Sequence, residues 1–219
     1  MALNKLKFNS LNVTPTAGKG IGFNASANGL EATFEGGAMT FIKKLTASSS
    51  ATLSFVDGSS DVVLDNTYKE YIFTFHNIHP GTNGGALSFQ ASTDTGSSYG
   101  VTATTTAFEA YHDEADSDTA FAYSTSQDLA QSTNFKRVVA GTGSDNDQCC
   151  AGILRLFNPS STTFVKHFIT DFQEAYHADY ATHSMYAGYF NTTSAIDAIQ
   201  FKMSTGNIDS GTITLYGIN

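Results

Sequence analysis

Tryptophan is absent from this 219-residue chain, and arginine occurs only at Arg137 and Arg155. Charged residues make up 14% of the chain, against roughly 25% in ordinary globular domains. The net charge is −9, so there is no basic stripe to neutralise phosphates, and a nucleic-acid-binding role is excluded. No segment approaches the ~18 consecutive apolar residues of a membrane-spanning helix. The first residues, Met1 to Phe8, hold no apolar run of signal-peptide length, and the expectation is a chain not exported by a leader. The only cysteines, Cys149 and Cys150, are neighbours, and a bridge between them would strain the peptide unit and close no useful loop. They are expected to be reduced thiols. Prolines number three, few enough to leave long strands uninterrupted.

What is present is β-structure. The chain carries 17 Phe and 10 Tyr, too many aromatics for an unfolded tail. From Met39 onward, short β-type runs alternate with turn clusters. The clearest run is Tyr68–Ile78, with Tyr71, Phe73 and Phe75 on one face and Glu70, Ile72, Thr74 and His76 on the other. Pro80 and Gly81 end it. Further strands are expected around Met39–Leu45, Ala51–Val56, Val62–Leu64, Ala86–Ala91, Val101–Thr106, Phe135–Val139, Gly152–Phe157, Phe164–Phe172 and Met185–Phe190. Ile199–Met203 and Thr212–Tyr216 close the chain, flanking Thr205–Gly211 as a hairpin loop. Residues 109–134 are polar and acidic, and are the least regular stretch. No helix is expected. Burying this many aromatics takes two facing sheets, so the expected fold is all-β: a two-sheet antiparallel β-sandwich of jelly-roll type over residues 37–219. Residues 1–36, rich in Asn, Gly, Ala and Ser, are expected to form a short irregular N-terminal arm for attachment or oligomerisation.

Three stretches carry a resemblance. Tyr68–Thr82 is similar to a long strand followed by a proline turn, and Ala86–Tyr99 to a strand entering a Ser-x-Asp-x-Gly loop. Ile199–Met203 through Ser210–Ile218, with its Leu-Tyr-Gly-Ile end, is the most specific of the three. Together they resemble the jelly-roll domain of tail-fibre and other virion structural proteins of tailed bacteriophages, marine phages in particular. Thr14–Gly20 and Phe23–Glu31 resemble the short connecting element that precedes such domains. The resemblance implies a virion protein assembled in the host bacterial cytoplasm, with a tail fibre or tail-associated appendage as the leading role. It implies homo-oligomers (trimers favoured), contacts with other virion proteins, and contact with a host-surface glycan. A capsid-surface decoration protein and a carbohydrate-binding, lectin-like module are the alternatives. No catalytic residue, cofactor, nucleic acid or membrane insertion is expected.

Several motifs bear on chemistry. Ser92–Tyr99 matches the Asp-box turn of sialidase-like propellers, where the aspartate caps turn amides. One copy and two arginines do not make a sialidase, so it is expected to be a tight turn. His112–Asp118 is a dense carboxylate run, and Asp113, Glu114, Asp116 and Asp118 are the candidates for a bound hard cation, although EF-hand spacing is absent. A glycan hydrolase using paired carboxylates in 109–134 is the enzymatic alternative. Tyr111, Tyr123, Tyr180 and Tyr186 lie in or beside expected loops and are the candidate glycan or surface contacts.

Overall fold

The structure, a computed structural model, describes residues 20–23, 26, 30–34 and 38–218. The chain divides into two compact units, Met1–Thr40 and Phe41–Asn219. In the first, strands β1 (Gly20–Phe23) and β2 (Leu30–Phe34) pair as an antiparallel hairpin. The sequence there has no clear period; backbone pairing supplies the order. The side chains of Ile21, Phe23 and Leu30 are exposed.

The second unit is built from strands alone. In chain order they are β3 (Met39–Thr46), β4 (Leu53–Val56), β5 (Glu70–Pro80), β6 (Leu87–Ser92), β7 (Ala103–Asp113) and β8 (Thr119–Tyr123). There follow β9 (Lys136–Arg137), β10 (Cys150–Phe157), β11 (Lys166–Tyr176), β12 (Tyr180–Phe190), β13 (Ala198–Met203) and β14 (Ile208–Ile218). They form two sheets, one ordered β3-β14-β5-β10-β11-β12-β7-β8 and the other β4-β13-β6-β9. The all-β, two-sheet antiparallel sandwich expected from the sequence is the fold observed. The chain crosses between sheets at nearly every connection of its central strands. β3, β5, β10 and β14 lie in the large sheet, and β4, β6, β9 and β13 in the small one. Two hairpins, β7–β8 and β11–β12, extend the large sheet beyond β10.

The core lies between the sheets. Phe55 and Phe201 on the small sheet meet Phe73 on the large one, at ring separations of 5.2 and 5.4 Å. Phe89 on β6 packs edge-on against Phe168 on β11 at 5.1 Å. All five rings are fully buried or within 1% of it. Each contributes roughly 1.5–3 kcal/mol of transfer free energy. Val62 and Leu64 also reach this core, but not from a strand. Asp57 accepts a hydrogen bond from the Leu64 backbone N–H (2.8 Å), which holds the segment in a turn.

Two local departures from simple alternation matter. In β5, Tyr71, Phe73 and Phe75 are buried, yet so are Ile78 and Pro80, because His76 and Asn77 both face solvent. A bulge at this point resets the parity; Asn77 has φ 51° and the facing Gly211 has φ 110°. A Cβ on Gly211 would stand 2.4 Å from the Asn77 carbonyl oxygen, so only glycine fits. The second departure corrects an expectation. Ile199–Met203 and Thr212–Tyr216 do fall in strands, but β13 belongs to the small sheet and β14 to the large one. The segment between them is therefore a crossover between layers and not a hairpin loop.

Lys136 on β9 is 2% exposed. Its Nζ donates to the Val101 carbonyl at 3.0 Å and lies 5.0 Å from the centre of the Phe190 ring. These contacts only partly replace water, and burial pulls its pKa from 10.5 down to about 7. Between those values the unfolded chain holds one more proton than the folded one, so folding stability rises with pH across that window. The limiting slope is about 1.4 kcal/mol per pH unit. Denaturation of wild type and Lys136→Met from pH 7 to 10 is expected to show this slope as their difference. Parallel profiles would mean that Lys136 stays charged in the fold.

Candidate functional site

The large sheet has eight strands and its partner four, and the small sheet covers only part of the core-facing side of the β12–β7–β8 end. Along β7, Ala103, Thr105 and Ala107 point into the core. The period of two then carries Glu109 and Tyr111 to the same side, past the edge of the small sheet. β12 contributes Tyr180, Thr182 and Tyr186 to that side, and the end of β11 adds Tyr176. The chain leaving β8 turns back along β7, tied by Ser124 N–H to Ala107 O (2.8 Å) and by Ala103 N–H to Ser132 O (2.9 Å). It then enters β9; Gln127 of the returning segment and Arg137 of β9 also border the space. The result is a cleft of about 550 Å³ bordered by Glu109, Tyr111, Asp118, Arg137, Tyr176 and Tyr180. That volume lies inside the ~300–1,000 Å³ range of small-molecule sites.

The rings are set at right angles. Tyr180 stands 79° to Tyr111 and 83° to Tyr176, with centroids 5.6 and 6.0 Å away. The Tyr180 hydroxyl donates to Asp118 Oδ2 at 3.1 Å, and this bond raises the tyrosine pKa. Deeper in, the buried Tyr186 hydroxyl donates to Glu109. Burial, and then this bond, push the Tyr186 pKa up, so the phenol stays protonated and holds the carboxylate in place. Behind the cleft wall Glu174 is 1% exposed. Its carboxylate accepts bonds from Ala140 N–H (2.7 Å), Gly141 N–H (3.2 Å) and the Thr142 hydroxyl (2.9 Å). Burial raises its pKa, and these donors work against that.

The candidate residues divide accordingly. Tyr111 and Tyr180 line the cleft, and Tyr186 forms its base through Glu109. Tyr123 lies on the other face of the sheet, edge-on to Phe108 at 5.4 Å with its hydroxyl on Asp128 (2.9 Å). The four acidic candidates hold separate positions. Asp113 caps the β7–β8 turn, accepting from the backbone N–H groups of Ser117 (2.8 Å) and Asp118 (2.9 Å). Asp116 meets His112 at 3.0 Å, and Asp118 meets Tyr180. Asp113, Glu114 and Asp116 border a second depression beside Cys149 and Gln173. Among the described residues, no three His, Cys, Asp or Glu side chains are grouped to hold a metal ion. Asp94 is a turn cap too: it accepts from the Ser98 N–H at 2.9 Å, and the Ser92 and Ser98 hydroxyls hold its pKa near 2. Gly96 in that turn has φ 75°, as a tight turn requires.

No motif in the sequence marks Glu109, Gln127 or Arg137 as site residues. The one available signal was the period-two continuation of β7 from Ala107 to Glu109 and Tyr111. The chain matches no known protein family, no curated protein and no solved structure.

Proposed function

We propose that the chain is a non-enzymatic structural component of a tailed-phage virion, a tail fibre or tail-associated appendage that assembles as a homo-oligomer. The observation that carries this reading is the strand order. With the hairpins β7–β8 and β11–β12 set aside, the large sheet takes the first, eighth, third and sixth of the remaining eight strands of the sandwich, and the small sheet the second, seventh, fourth and fifth. That order is the one expected of two interlocked Greek keys in a jelly roll, and it supports the reading. The stretches that resemble the phage domain supply β5, β6, β13 and β14, which are central strands of both sheets. Mass spectrometry of purified particles is the test. Tens of copies per virion are expected. Hundreds would assign the chain to the shell as a decoration protein, and absence from particles would end the proposal. The oligomer is expected to weigh three times the 23.3 kDa chain.

A second reading, a carbohydrate-binding module of sandwich fold, is favoured by one specific feature, the tyrosine cleft.

A further inference from the structure

We infer that the cleft between β7, β12 and β9 is a binding site for an uncharged saccharide, stacked against Tyr180 and gripped at its hydroxyls by Glu109 and Arg137. The inference rests on the second reading and names its site and ligand class; it holds whether or not the chain belongs to a virion.

The argument starts from what a sugar presents. A pyranose offers a weakly polar C–H face and a rim of hydroxyls, each both donor and acceptor. The C–H face packs on aromatic rings, and tyrosine is suited to such half-wet sites because one end is apolar and the other polar. Here three half-buried tyrosines meet at right angles, so one ring serves as a platform while its neighbours form walls. Around them stand the groups that pair with hydroxyls: Glu109 and Asp118 as acceptors, Arg137 as a forked donor, and Gln127 as both. The platform is set before any ligand arrives. Asp118 fixes the Tyr180 hydroxyl, and Tyr186 fixes Glu109, so little ordering cost remains for binding.

Charge decides the class. Two carboxylates line the cleft against one guanidinium, Glu174 lies buried behind the wall, and the chain as a whole carries −9. An acidic sugar would enter against this field with one arginine to meet it; an uncharged sugar meets no such barrier. A sheet end that needed only to be wetted has no use for three large rings on its core-facing side. Small polar residues, abundant elsewhere in the chain, would serve.

The full chain should be applied to a glycan array holding neutral, amino and acidic (sialylated and uronic) structures. Binders should then be titrated calorimetrically against wild type, Tyr180→Ala, Tyr111→Ala and Arg137→Ala. Binding to neutral glycans is expected, with affinity at least tenfold weaker in Tyr180→Ala and several-fold weaker in Arg137→Ala. Arg137 is exposed on β9, so its removal leaves the fold intact and keeps the test valid if Tyr180→Ala melts early. Three results would overturn the inference, each differently. No binding to any glycan at high micromolar protein removes the carbohydrate-binding reading itself. Neutral-glycan binding that survives all three substitutions keeps that reading but moves the site elsewhere. A preference for acidic glycans, lost in Arg137→Ala, keeps the site and overturns the class.

Discussion

Phe201→Ala is expected to destabilise the protein by about 3–5 kcal/mol, the range for removing a fully buried large ring from a close-packed core. Phe201 is fully buried on β13 and stands at the centre of the aromatic layer. Its ring lies 5.1 Å from Phe75, 5.4 Å from Phe73, 6.2 Å from Phe55 and 6.3 Å from Phe89. It thus touches rings from both sheets, and its loss leaves a cavity that neither sheet can collapse into alone. Phe164, which is 68% exposed, serves as the control: its replacement by alanine should change stability by less than about 0.5 kcal/mol. Urea denaturation measures both. A loss under about 1 kcal/mol for Phe201→Ala would mean that the sheets do not meet through this ring.

Glu174→Ala is expected to cost about 2–6 kcal/mol, for a different reason. The alanine would remove the acceptor of the half-buried Ala140 N–H, the buried Gly141 N–H and the Thr142 hydroxyl. Gly141 and Thr142 are buried, and an unmet buried donor costs about 1–3 kcal/mol. Glu174→Gln keeps one carbonyl oxygen and removes a buried charge that burial already disfavours, so its cost should be about 1–2 kcal/mol. The order matters more than the sizes. If Gln proved as damaging as Ala, the charge and not the count of acceptors would be what the turn at 140–142 requires.

The sandwich was legible in the sequence because its core strands obey one rule. Tyr71, Phe73 and Phe75 alternate with residues that face solvent or the sheet's outer side, and Phe168 and Phe172 do the same in β11. The bulge at His76–Asn77 was not legible, since a polar pair within an alternating run carries no mark of a parity change. The crossover between β13 and β14 was hidden for a related reason: two consecutive strands joined by a short polar loop look alike in sequence whether they share a sheet or face each other. Most instructive is β7. Its last residues place Phe108 on the outer face, 39% exposed, and Glu109 and Tyr111 on the inner one. Hydrophobicity there runs opposite to burial, because the inner face meets a cleft and not a core. Residues 109–134 therefore had the composition of a loop, and the cleft was concealed within it. The turn caps Asp94 and Asp113 were easier, as their chemistry is local and needs no partner far along the chain.

The place of β14 between β3 and β5 also sets the order of events during synthesis. The large sheet has a gap between its edge strand β3 and β5 until the chain reaches Ile208–Ile218. A ribosome adding roughly 5–20 residues per second leaves β3 and β5 waiting on the order of ten seconds for the strand that joins them. Over that interval the aromatic faces of both sheets exist without a closed ladder to organise them, and pairings so distant in sequence are slow to form even when the whole chain is present. The large sheet therefore cannot be completed before Ile208–Ile218 is made, and the vulnerable period is the time before β14 joins β3 to β5.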